Sequence, residues 1–209
     1  QYAVALVDEF QDTDARQWAI FDRVFGGGEN PALFLIGDPK QAIYGFRGGD
    51  VHTYLAAGST AAHAPPLSHN FRSRPSLLRG IAALYANTGN AVSANPEIRF
   101  HPVEAGDKRS DADYRRDGGD APAMTLWQAP PSNERDKQGK PKPHSAPRSR
   151  DLATAACVAA IHSALSEARI GKATLKAKVD GKDMVRAVQP GDIAVLVRSH
   201  HEATMVQQA

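Results

Sequence analysis

Tyr2-Ala3-Val4-Ala5-Leu6-Val7-Asp8-Glu9-Phe10-Gln11-Asp12-Thr13 decides the fold. An apolar run that closes on two carboxylates has the pattern of a buried parallel strand with polar residues at its C-terminal tip. Asp12-Thr13-Asp14 then offers N-cap residues. Trp18, Phe21 and Phe25 follow at helical spacing, and Gly26-Gly27-Gly28 stops the helix. A second apolar run, Ala32-Leu33-Phe34-Leu35-Ile36, ends at Gly37-Asp38-Pro39. Strand, helix, strand in that order predicts a βαβ unit, and hence an α/β fold with a parallel sheet.

Further along, Ser73 and Pro75 open a helix whose apolar face is Leu77, Leu78, Ile81, Leu84 and Tyr85, with Gly89 as its stop. From about 104 to 150 periodicity is lost. Only Ala123-Met124-Thr125-Leu126-Trp127 reads as a strand there, and the basic, proline-broken Lys137–His144 stretch reads as a mobile surface loop. Order returns at Asp151, where Val158, Ile161, Leu165 and Ala168 share a helical face. Gly181 marks a turn between short strands. Pro190-Gly191-Asp192 leads into Ile193-Ala194-Val195-Leu196-Val197, a buried-strand candidate, and a last helix begins near His201.

Composition constrains less. With 209 residues, 42% of them hydrophobic, the chain is long enough for one ordinary core or parts of two. Twenty-five Lys and Arg stand against 23 Asp and Glu, so a case for nucleic acid has to rest on local residues. The single cysteine, Cys157, excludes an intrachain disulfide and a multi-cysteine zinc site; in its Ala-rich helix it reads as a small packed residue. No stretch approaches the roughly 18 apolar residues of a membrane span, and no basic-then-apolar leader opens the sequence. The chain reads as soluble and cytoplasmic. It opens without Met inside an apolar run and stops without a breaking signal, so it reads as an internal piece of a longer protein.

Three segments carry chemistry. Asp8 at a strand tip is placed to hold Mg²⁺ through water beside nucleotide phosphates, and Glu9 next to it to deprotonate an attacking water; a solvated acidic turn is the alternative. In Gly37-Asp38-Pro39-Lys40-Gln41-Ala42-Ile43-Tyr44-Gly45-Phe46-Arg47-Gly48, Gln41 can accept from a water and donate to a phosphate oxygen. Tyr44 and Phe46 offer flat faces and Arg47 a cation, a set suited to single-stranded bases and phosphate. Packing is the alternative for both aromatics, and it is the reading adopted for Ile43. In Asn70-Phe71-Arg72-Ser73, Arg72 just before a helix is placed like an arginine finger, with Phe71 beside it for an adenine; a surface arginine over a packed Phe is the alternative.

These segments, in this order and strand context, resemble motifs II, III and IV of UvrD/Rep-type DNA helicases. Asp50-Val51-His52-Thr53-Tyr54 and Asp192-Ile193-Ala194-Val195-Leu196-Val197-Arg198-Ser199 look more like the helicase-nuclease members than the stand-alone ones. The resemblance is firm over residues 1–100 and 190–209 and loose between.

The resemblance implies parts of two RecA-like motor domains: the end of the first over 1–66, and the start of the second over 67–209 with a loop-rich insertion at about 104–150. It implies Asp8 as Mg²⁺ ligand and Glu9 as catalytic base. Gln41 would sense the γ-phosphate of ATP and couple it to DNA through Tyr44, Phe46 and Arg47. Arg72 would contact the same phosphate and Phe71 would stack on adenine. Phe46 stands where the family often has Trp. Partner subunits and an ATP-driven role in double-strand-break repair and recombination are further implications, with a nuclease domain downstream. The phosphate loop Gly-x-x-x-x-Gly-Lys-Ser/Thr occurs nowhere in the 209 residues. The piece alone is therefore expected to be inactive, and to expose apolar surface along 2–7 and 32–36. A stand-alone UvrD-like repair helicase, an AddA-type helicase-nuclease and a non-catalytic interaction module are the alternatives.

Overall fold

β1 (Ala5–Val7) and β2 (Leu33–Leu35) lie parallel, with Ala5 opposite Leu33, Leu6 opposite Phe34 and Val7 opposite Leu35. This computed structural model describes residues 2, 4–26, 33–62, 64–89, 91–179 and 181–209; Ala3, Gly27, Gly28 and Ala32, named above, lie outside them. The chain forms two compact units, residues 1–70 with 81–104, and residues 71–80 with 105–209.

In the first unit the ladder runs past both strands: Ile36 N–H donates to Val7 O and Phe10 N–H to Ile36 O, each at 2.9 Å. Asp14 caps α1 (Ala15–Phe21), taking the N–H groups of Arg16 and Gln17 while Gln17 reaches back to Asp14 N–H. A π-helical turn, Asp22–Gly26, continues it. Asp50 caps α2 (Val51–Thr60). The Thr53 hydroxyl, and after it the His52 N–H, hold the Asp50 carboxyl below its usual range. Phe10, 1% exposed, anchors these pieces. Its ring meets Trp18 edge-on at 5.4 Å and Tyr54 at 6.0 Å. β3 (His69–Asn70) follows, and later in this unit Tyr85 stacks on Phe100 at 4.7 Å.

The strands are not buried on both faces. Side chains alternate, so while Ala5, Val7, Leu33 and Leu35 turn inward, Leu6 is 67% and Phe34 57% exposed. A two-stranded sheet covers one face only. Leu6 and Phe34 fall within the apolar runs 2–7 and 32–36 named above.

α3 (Pro75–Ala86) begins in the second unit. There Arg74 Nη1 donates to the carbonyls of Asp111 (3.1 Å) and Ala121 (3.2 Å), and its guanidinium lies 5.6 Å from the Tyr114 ring centroid. After β4 (Glu104–Ala105), the strands β5 (Tyr114–Arg116), β6 (Gly119–Asp120), β7 (Ala173–Val179) and β8 (Lys182–Ala187) form an antiparallel sheet in the order β6-β5-β7-β8. α4 (Ala146–Arg169) packs on it through Ala168 against Ala173 and Val188, small side chains that permit close approach. Arg116 and Ser163 bond the Glu167 carboxylate, drawing its pKa down to about 2 and tying β5 to α4.

In the second unit the structure departs from the sequence expectations in four places. Residues 104–150 contain β5 and β6, turned by Asp117 and Gly118 with φ of 48° and 82°, the left-handed pair a two-residue hairpin demands. Ala123–Trp127 is not a strand: no ladder reaches it, and Leu126 is 80% exposed. The basic stretch holds its own short turn, with Asp136 N–H on Lys140 O and Lys142 N–H on Glu134 O, each 2.9 Å, and α4 starts at Ala146 on a Ser145 cap. Last, only Ile193 of the 193–197 run reaches the core, while Leu196 is 97% exposed. A 3-10 turn at Pro190–Asp192, clamped by two 2.6 Å bonds from Arg186 to Asp192, sends the segment away from the sheet. α5 (His200–Gln208) starts within a residue of its expected place. Among the described residues no helix is long and apolar enough to cross a membrane, and no group of three or more His, Cys, Asp and Glu is placed to hold a metal.

Candidate nucleotide site

At the tip of β1 the chain does something a non-glycine residue resists. Glu9 sits at φ 50°, ψ 40°, in the left-handed region, before the 3-10 turn Phe10–Asp12. Asp8 Oδ1 accepts the Glu9 N–H at 2.9 Å. The Glu9 carboxylate turns to Gln11, whose Nε2 donates to Glu9 Oε2 at 2.6 Å. The two acids are therefore held differently, Asp8 exposed at the tip and Glu9 tied from the side. Asp8 presents hard carboxylate oxygen, the donor chemistry Mg²⁺ takes, with most of the ion's shell left to water.

Gln11 is 2% exposed, and its Oε1 accepts the Asp38 N–H at 3.0 Å, which joins the tips of β1 and β2. The approach requires glycine at 37, because a Cβ there would stand 2.6 Å from Gln11 Oε1 and 3.0 Å from the Tyr54 ring. Tyr54 OH donates to Gly37 O at 3.1 Å, and burial, then the Asp38 charge, pushes that phenol's pKa up.

Asp38 caps the 3-10 turn Pro39–Gln41. Its Oδ1 accepts Lys40 N–H at 3.0 Å and pairs with Lys40 Nζ at 2.7 Å, while Gln41 Nε2 lies 3.4 Å from its Oδ2. Burial pushes the Asp38 carboxyl up, but the bonds and charge of Lys40, with help from Gln41, outweigh it and leave it below its usual range. Gln41 is thus linked to Glu9 through Asp38 and Gln11.

Tyr44 and Phe46 flank Gly45 with ring centroids 5.9 Å apart and 47° between planes. Phe46 is 80% exposed and Tyr44 38%. Ile43, expected in the core, is 71% exposed: the Ile43 N–H bonds back to Gln41 O at 2.8 Å, and the tight turn throws its side chain outward. The Arg47 side chain lies outside what the structure describes.

Phe71 and Arg72 belong to the second unit. Phe71 is 49% exposed, with Lys108 Nζ 5.4 Å from its ring centroid and Gly106 beneath it, where a Cβ would come within 2.2 Å of the ring. The structure therefore joins Asp8, Glu9 and Gln41 on one unit and places Phe71 and Arg72 on the other. Sequence reading missed Gln11, Gly37 and Tyr54. Their one signal was a polar Gln set between Phe10 and Asp12, in a segment otherwise read for its acids.

Residues 1–62 match the UvrD/REP helicase N-terminal domain, and the chain belongs to the UvrD/REP-like family. Within that class the likeness is to RecB. The chain is 37% identical over 209 residues to the RecBCD enzyme subunit RecB of Escherichia coli (strain K12), covering 100% of this chain and 16% of that protein. The Haemophilus influenzae subunit is 33% identical over 209 residues (99% and 16%), and the Mycobacterium tuberculosis (strain H37Rv) subunit 53% over 81 residues (39% and 7%). The chain spans about 16% of the length of the relatives it matches end to end.

Proposed function

We propose that the chain is part of an ATP-dependent DNA helicase subunit of an exodeoxyribonuclease V-type helicase-nuclease, acting in double-strand-break repair and recombination in the bacterial cytoplasm. RecC-like and RecD-like chains are its partners in that reading, and single-stranded DNA and duplex ends its substrates. One observation carries it: the RecB likeness runs through the whole chain, and Asp8, Glu9, Gln41 and Arg72 are all present. An interaction module with a decayed site is expected to have lost at least one.

In this reading residues 1–66 close one RecA-like domain and 67–209 open a second. Asp8 would hold Mg²⁺, which would supply charge neutralisation at the phosphates of ATP. Glu9 takes the proton of the attacking water. Gln41 contacts that water and the γ-phosphate, Arg72 contacts the γ-phosphate, and Phe71 stacks on adenine. Tyr44, Phe46 and Arg47 hold single-stranded DNA, and the exposure of Phe46 supports a stacking role over a packing one.

Two outcomes test it. In the full-length protein, Tyr44→Ala or Phe46→Ala should weaken single-strand binding by about 1–3 kcal/mol per lost stack, with little base preference, and lower DNA-stimulated ATPase more than basal ATPase. Fluorescence anisotropy on homopolymer strands measures the first effect; wild-type affinity in both variants removes the aromatics from the DNA site. The 209-residue chain alone should neither hydrolyse ATP nor bind it tightly, since the phosphate loop supplies most of the contacts to the β- and γ-phosphates. Calorimetry and phosphate release measure this, and DNA-stimulated turnover by the chain alone contradicts it.

A further inference from the structure

The Gln11 amide has one available orientation. A backbone N–H only donates, so Asp38 N–H at 3.0 Å fixes Oε1 toward itself. Nε2 then faces the Glu9 carboxylate, which only accepts when ionised, at 2.6 Å. Both ends are satisfied in a side chain 2% exposed, so losing either bond strands a buried polar group. Glu9 itself is exposed, and its side-chain torsions are free unless something fixes them; the Gln11 amide supplies that restraint. On the other side, Asp38 caps the turn that carries Gln41.

From this geometry we infer that Gln11 is a positioning residue: it aims the Glu9 carboxylate and locks that aim to the loop bearing Gln41. The two groups that handle the attacking water are thereby set as one unit, and a shift of the Gln41 loop on meeting phosphate is passed to Glu9. This rests on the assignment of Glu9 as the catalytic base. A role confined to joining the strand tips would need only the Asp38 bond.

Two substitutions in the full-length protein separate these roles. Gln11→Met removes both bonds at similar volume. Gln11→Glu keeps an acceptor for Asp38 N–H but sets an oxygen against Glu9. Both should lower kcat for DNA-stimulated ATP hydrolysis by roughly 10–100-fold, the effect of a misplaced catalytic group, with KM for ATP nearly unchanged. In a Glu9→Gln background neither should cost anything further. The Glu9→Gln, Gln11→Glu double variant rebuilds an amide–carboxylate pair with its polarity reversed. It should recover the melting temperature that Gln11→Glu loses, without recovering turnover. If Gln11→Met fails to fold, Gln11→Glu and the double variant carry the test. Wild-type kcat in Gln11→Glu, or an additive loss on top of Glu9→Gln, overturns the inference and leaves Gln11 a strand-tip tie. Wild-type turnover in Glu9→Gln alone overturns the base assignment, and the inference with it.

Discussion

Phe10→Ala should destabilise the first unit by about 3–5 kcal/mol, the range for emptying a buried aromatic site. Phe10 is 1% exposed and holds α1 and α2 to the strand tips through Trp18 and Tyr54. Its neighbours in sequence are Glu9 and Gln11, so the cavity opens directly beneath the candidate site. The two tryptophans, Trp18 and Trp127, lie one in each unit, so a Trp127→Phe background makes fluorescence report on the first unit. Urea unfolding of the 209-residue chain in that background measures the effect. Leu6→Ala, at a position 67% exposed, is the comparison and should shift the midpoint far less. Equal shifts from the two substitutions contradict the placement of Phe10 as the anchor.

Much of the first unit was legible because its signals are local. Two apolar runs separated by a capped helix are enough to propose a parallel pair, and the structure has that pair in register. The α1 cap at Asp14 is short-range chemistry; α2 on its Asp50 cap has the same kind of signal, but the sequence reading passed over it. What periodicity missed depends on partners distant in sequence. Ala123–Trp127 and Ile193–Val197 have strand-like composition, but a strand exists only where a neighbour supplies its hydrogen bonds, and neither segment has one here. The β5–β6 hairpin was missed for another reason: its Asp117-Gly118 turn signal is plain in the sequence but lies within a mixed-charge stretch that reads as loop. At the site, acids and aromatics announce themselves by residue type, whereas Gln11 matters through a bond to Asp38, 27 residues away. Such a contact has no local pattern. The left-handed backbone of Glu9 likewise has none, since nothing about a glutamate foretells it.

The larger effect belongs to Glu9→Gln in the full-length protein. The substitution preserves shape and hydrogen-bonding capacity but removes the carboxylate proposed as the base, and a general base supplies roughly 10²–10⁴-fold in rate. Gln11 Nε2 retains an acceptor in the new amide's oxygen, so the strand tips should stay joined and the fold intact. ATP and DNA binding should be nearly unchanged, because Asp8, Gln41, Phe71 and Arg72, together with the aromatics of the Tyr44 loop, are untouched. The measurement is steady-state ATPase with saturating single-stranded DNA, paired with a nucleotide-binding titration on the same preparation. Turnover reduced by two orders of magnitude or more, at wild-type ATP affinity, is the predicted result; wild-type turnover would contradict the account that the carboxylate at the tip of β1 does the chemistry.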